Sequence, residues 1–138
     1  MLSITKKFRF EAAHAILNYD GLCKNIHGHS YELLVTVCGP KDPETQMVMD
    51  FKLLKQIVND NFLKQADHAL FLNQHHPAAK ELDTYEGKKF MMQGEPTAEN
   101  IIEMIAELVR WKLPAGIKLK RLRLFETESS FADWESDY

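Results

Sequence analysis

The stretch ITKKFRFEAAH, residues 4–14, decides the fold. Successive side chains of an extended chain point to opposite faces, so Ile4, Phe8, Phe10, Ala12 and His14 share one face while Lys7, Arg9 and Glu11 share the other. This is a half-buried strand whose inward row ends on an imidazole. The turn-forming segment NYDGLCKN (18–25) follows, and SYELLVTVC (30–38) is a second β-rich run stopped by Gly39-Pro40. The two strands are expected to pair antiparallel around that connection.

Beyond the turn PKDPETQ (40–46), Asp50 stands where a helix N-cap would, and Phe51, Leu54, Ile57, Val58 and Phe62 recur at helical spacing, giving a helix that ends near Lys64. A second helix starts at Pro96-Thr97, with Thr97 as cap and Ile101, Ile102, Ile105, Leu108 and Val109 on one face; Pro114 and Gly116 close it. Residues 117–127 read as a strand whose apolar phase slips between Leu119 and Leu122, which a bulge near Lys120 to Arg121 would reconcile. Glu126 continues the Leu122 and Leu124 row. A last short strand spans Phe131 to Trp134, and Lys88 to Gln93 is a candidate extra strand between the helices. The order is ββααββ in one domain over residues 1–138, an α+β fold.

With 138 residues, 45% hydrophobic and 27% charged, the chain has the profile of one globular unit. Its net charge of −3, with lysines and arginines interspersed among acids, excludes the basic stripe of a nucleic-acid binder. No uninterrupted apolar stretch suggests a membrane span or signal peptide, so a cytoplasmic protein acting on a small molecule is expected. Cys38 ends an apolar run and reads as a small buried hydrophobe.

His27-Gly28-His29 carries the sharpest chemical signal, because residues two apart on a strand point the same way and can converge on one ion. His14, ending the inward row of the neighbouring strand, supplies a third imidazole. Three nitrogen ligands with an open fourth position are typical of catalytic zinc. Cys23, four residues before His27, is a fourth ligand, a reactive thiol or an ordinary loop cysteine, and spacing does not separate these. Asp67-His68 is either an acid orienting an imidazole for proton transfer or a solvated helix end. Glu126, facing the core, needs donors: a ligand with two adjacent N–H groups, or an arginine such as Arg121 or Arg123. His75-His76 lies in a polar loop and reads as ordinary surface.

In order along the chain, FRFEAAH (8–14), CKNIHGH (23–29), Val48-Met49-Asp50-Phe51, residues 67–73 (DHALFLN), PTAEN (96–100) and FET (125–127) resemble the family of 6-pyruvoyl and 6-carboxytetrahydropterin synthases. The three residues between Cys23 and His27 resemble the bacterial 6-carboxytetrahydropterin synthases of queuosine biosynthesis. The resemblance implies the tunnelling fold: a four-stranded antiparallel sheet with two helices on one face, whose subunits join into trimeric barrels that stack as hexamers. It implies Zn2+ on His14, His27 and His29, a catalytic thiol at Cys23, a proton relay of Asp67 with His68, and a pterin anchor at Glu126, with Thr97 and Thr127 as further substrate-binding positions. Active sites in that family lie between subunits. The implied reaction converts 7,8-dihydroneopterin triphosphate to 6-carboxytetrahydropterin, acetaldehyde and triphosphate; the alternatives are a pyruvoyl synthase or a non-catalytic zinc or pterin-binding module. The segment between Asn73 and Pro96 is longer than in the shortest bacterial members.

Overall fold

A computed structural model describes residues 1–17, 21 and 24–137. Strand β1 (Leu2–His14) pairs antiparallel with β2 (His27–Gly39) along its whole length, from Leu2 opposite Gly39 to His14 opposite His27. Alternation does what the sequence predicts. Phe8, Phe10, Ala12 and His14 on β1 and Tyr31, Leu33, Val35 and Val37 on β2 are buried, while Lys7 and Arg9 face outward and reach Glu32 at 3.3 and 3.5 Å. Phe10 stacks on Tyr31, with ring centroids 4.9 Å apart, and meets Phe62 edge-on at 5.2 Å, which ties sheet to helix.

Strand β5 (Lys118–Phe125) pairs antiparallel with β2, and β6 (Phe131–Glu135) with β5. Thr36 sits opposite Arg121 but Val37 opposite Leu119, so Lys120 is the extra residue of a bulge. The bulge lies where the phase slip placed it, and it lets Leu119, Leu122 and Leu124 all reach the core.

The expected four-stranded antiparallel sheet is corrected to a six-stranded mixed one. Two strands add to the free edge of β1: β3 (Ala69–Asn73) runs parallel to it, opposite Ala12 to His14, and β4 (Lys89–Met92) runs parallel to β3. The strand order is β4-β3-β1-β2-β5-β6. β4 is the candidate extra strand of the sequence reading. β3 is new, because the four-residue apolar run Ala69 to Leu72, with both Phe71 and Leu72 buried, has no period to distinguish it from a continuing helix.

The first helix begins as α1 (Phe51–Val58), with Lys52 N–H donating to the Asp50 carboxylate at 2.8 Å. It continues through a π-helical turn (Asn59–Leu63) into α2 (Lys64–Ala66), two residues past the expected end. Its buried residues are Leu54, Val58, Phe62 and Ala66, a strict four-residue repeat. At 3.6 residues per turn each step of four overshoots by about 40°, so three steps would carry Ala66 about 120° off the sheet. The wider π turn absorbs that drift. α3 (Ala98–Arg110) is capped by Thr97, whose hydroxyl accepts from Asn100 N–H at 3.1 Å, and buries Ile101, Ile102, Ile105, Ala106 and Val109. Gly116, at φ +84°, supplies the left-handed turn into β5.

Both helices therefore cover one face of the sheet. The other face carries ion pairs, among them Arg121 and Arg123 with Asp133 at 3.0 and 2.7 Å. Cys38 is buried at 2% exposure. Among the described residues no helix is long and apolar enough to cross a membrane.

Candidate metal centre

The β1–β2 register builds the centre. His14 stands opposite His27 and Ala12 opposite His29, so the inward parity that buries Phe10 and Tyr31 delivers three imidazoles to one point at the sheet end. The Nε2 atoms of His27 and His29 each lie 3.1 Å from Nε2 of His14. Glu126 Oε1 is 3.0 Å from His29 Nε2 and 3.6 Å from His14 Nε2. One ligand atom from each of the four residues lies within 4.8 Å of every other.

Backbone carbonyls fix the ring orientations. Nδ1 of His14 donates to the Pro96 carbonyl at 2.8 Å, and Nδ1 of His27 to the Asn25 carbonyl at 2.7 Å. A carbonyl only accepts, so in the neutral rings the proton sits on Nδ1 and the Nε2 lone pairs of His14 and His27 face each other. Two lone pairs at 3.1 Å repel unless a cation lies between them. A proton is a poor candidate: burial, the largest influence, holds His14 below its ordinary 6.5 despite the raising effects of Pro96 and Glu126, and burial lowers His29 likewise. A metal ion fits. Tetrahedral zinc with Zn–N near 2.0–2.1 Å has a nitrogen–nitrogen edge of about 3.3 Å, close to the observed spacing, and carbonyl acceptors on the far nitrogens are the usual outer support of metal-bound histidines.

Glu126 follows β5 and faces inward, as its row predicts, but its partners are histidines. The arginine alternative fails because Arg121 and Arg123 point to the opposite face and are taken by Asp133. The carboxylate and burial together push the Tyr31 hydroxyl upward, burial contributing most. Tyr31 lies 3.4 Å from His14 Nδ1 and packs edge-on against the His29 ring.

Asp67 and His68 are not part of this group. Asp67 Oδ1 is 3.0 Å from His68 Nδ1 and accepts from Glu11 N–H at 2.9 Å; Glu11 has the outward parity of β1. His68 borders a hollow of about 540 Å³ lined also by Ser30, Leu82, Tyr85 and Lys88, which reaches His29 but neither His14 nor His27. Thr97 is occupied as the cap of α3, and the Thr127 hydroxyl accepts from Ser129 N–H at 3.4 Å. His76 Nδ1 accepts from Ala78 N–H, and His75 is exposed, as expected of surface residues. Cys23 lies outside the described residues.

Sequence reasoning missed the outer partners. Pro96 and Asn25 act through their carbonyls, which leave no side-chain signature. Glu95 accepts from Leu17 N–H at 2.6 Å and from Asn73 Nδ2 at 3.1 Å, joining the end of β3, the entry of α3 and the chain leaving β1.

The family model described as 6-pyruvoyl tetrahydropterin synthase matches residues 3–137. A 6-carboxy-5,6,7,8-tetrahydropterin synthase of Haemophilus influenzae is 33% identical over 98% of this chain and 99% of its own. A dihydroneopterin monophosphate aldolase of Pyrococcus furiosus is 36% identical over 85% of this chain and 82% of its own. The 6-pyruvoyl tetrahydropterin synthase structure from Caenorhabditis elegans superposes with a TM-score of 0.72 at 22% identity, covering 99% of this chain and 96% of that one, which shows a shared fold.

Proposed function

Because the chain belongs to the 6-pyruvoyl tetrahydropterin synthase family, we propose that it is a zinc-dependent 6-carboxy-5,6,7,8-tetrahydropterin synthase of queuosine biosynthesis. It takes 7,8-dihydroneopterin triphosphate and water to 6-carboxytetrahydropterin, acetaldehyde and triphosphate. The relatives of that name support the reaction. The observation that carries the zinc dependence is the convergence of three Nε2 atoms, those of His27 and His29 each 3.1 Å from that of His14, with Nδ1 of His14 and of His27 committed to a carbonyl.

His14, His27 and His29 would hold the ion, which supplies Lewis acidity to oxygens of the substrate side chain. Cys23, as thiolate, removes a proton from the side-chain carbon next to the pterin ring. His68, held by Asp67, exchanges protons at the adjoining carbon. Glu126 accepts from the amino and ring N–H groups of the pterin, with Thr97 and Thr127 as neighbouring substrate contacts. The working site forms between subunits of a trimer or dimer of trimers, in the cytoplasm, a reading supported by the separation of Asp67 and His68 from the His14, His27, His29 and Glu126 group.

One observation favours a second reading. Glu126 Oε1, 3.0 Å from His29 Nε2, gives the centre a fourth protein donor, and four protein donors typify a closed, structural ion. Incubating the purified, zinc-loaded protein with 7,8-dihydroneopterin triphosphate and identifying every product separates the readings. Acetaldehyde with 6-carboxytetrahydropterin is the expected result. A pyruvoyl product with triphosphate release would place the chain in the other branch of the family, and unchanged substrate would favour the structural ion.

A further inference from the structure

The backbone of His68 is left-handed, φ +66°, one of two non-glycine residues with positive φ among those described. A side chain with a Cβ resists that conformation, so the surrounding contacts must hold it. The helix ahead of it ends in a specific way. Asp67 N–H still donates to the Leu63 carbonyl at 2.9 Å, but His68 N–H, which a continuing helix would give to Lys64, turns instead to the Glu11 carbonyl at 2.6 Å. The Lys64 carbonyl is thereby released. Lys88 Nζ takes it at 3.2 Å and also donates to the Asp67 carbonyl at 2.9 Å.

Lys88 is placed for this by the longer segment between β3 and α3. It immediately precedes β4, and its own carbonyl accepts from Leu70 N–H at 3.0 Å, so strand pairing fixes its backbone beside the corner while its ammonium spans the two carbonyls. A cation over the last carbonyls of a helix also meets the negative end of its dipole. The corner is thus gripped from both sides: by the β1 backbone at Glu11 and by the ammonium of Lys88.

We infer that Lys88 is a positioning residue for the Asp67–His68 pair, clamping the helix end so that the imidazole is presented in one orientation. The inference rests on the proposed proton-relay role of that pair. It assigns the longer segment a purpose, since Lys88 lies within it.

The test uses the full-length, zinc-loaded protein as Lys88→Met and Lys88→Arg. Lys88 is exposed, so the core and the α3 amides should keep wild-type exchange protection. In Lys88→Met the His68 amide should exchange about tenfold faster and kcat should fall about tenfold, the weight of one hydrogen bond from a charged donor. KM for 7,8-dihydroneopterin triphosphate and zinc content should not change, and Lys88→Arg should restore both readouts. Unaltered exchange at His68 overturns the clamp, whatever happens to kcat. Faster exchange with undiminished kcat overturns the positioning role; full turnover by His68→Ala would then trace the failure to the relay reading rather than to the clamp.

Discussion

Nδ1 of His14 donates to the carbonyl of Pro96, 2.8 Å away, so the strand that opens the chain is pinned to the entry of α3 through the ring that points into the metal centre. That ring is 1% exposed and is held neutral by burial. Its folded-state affinity for protons lies below the ordinary 6.5 of the unfolded chain, so the unfolded state binds more protons as pH falls. The metal-free protein should therefore lose stability as pH drops below about 6.5, and regain it above. Urea melts of chelated protein at pH 7.5 and 5.5 measure this; equal midpoints would contradict it.

Removing the ion should cost stability at neutral pH as well. A ligand that binds only the folded state at a thousand times its Kd contributes about 4 kcal/mol. Chelation should lower Tm by several degrees, and zinc should restore it. His27→Ala should abolish both the bound zinc and this response, read by metal analysis and thermal scans.

Phe10 lies between Tyr31 and Phe62, stacked on one ring and edge-on to the other. Phe10→Ala should cost about 3–5 kcal/mol, seen as a lower denaturant midpoint. Because Tyr31 also packs against His29, zinc affinity should fall with it.

Cys23→Ala should keep zinc and pterin binding while losing turnover, whereas Glu126→Ala should chiefly weaken pterin binding. Calorimetry with a pterin product and steady-state kinetics distinguish the two. Full activity in Cys23→Ala would remove the thiol from the mechanism.

Two inactive variants test where the working site lies. Zinc-free His27→Ala and relay-deficient His68→Ala, mixed and reassembled, should recover part of the wild-type rate if one subunit's ion meets another's Asp67–His68 pair. A mixture as inactive as its components would place both halves in one chain.

Much of the fold and of the centre is legible in the sequence, for identifiable reasons. Period-two alternation in residues 4–14 placed His14 on the inward face, and the phase slip between Leu119 and Leu122 located the bulge near Lys120 to Arg121, where the register makes Lys120 the extra residue. The inward row through Leu124 aimed Glu126 correctly. Its partners were not legible, because the approach of Glu126 to His29 depends on the β2–β5 register and not on neighbours in sequence. β3 escaped because its apolar run, Ala69 to Leu72, is short, and its pairing partners at Ala12 to His14 lie more than fifty residues away. The Pro96 and Asn25 carbonyls escaped because every residue has one.

The π turn at Asn59–Leu63 has a last consequence, for chain length. The helix holds one residue of slack: deleting exposed Asp60 would convert the spacing of its buried residues from four-four-four to four-three-four, the repeat a regular α-helix keeps on one face. Leu54, Val58, Phe62 and Ala66 would stay seated without the wide turn. α3 has no such reserve, so losing a residue such as Glu103 would rotate half of its apolar stripe out of the core. Between these two helices, the first can change length by one residue and the second cannot.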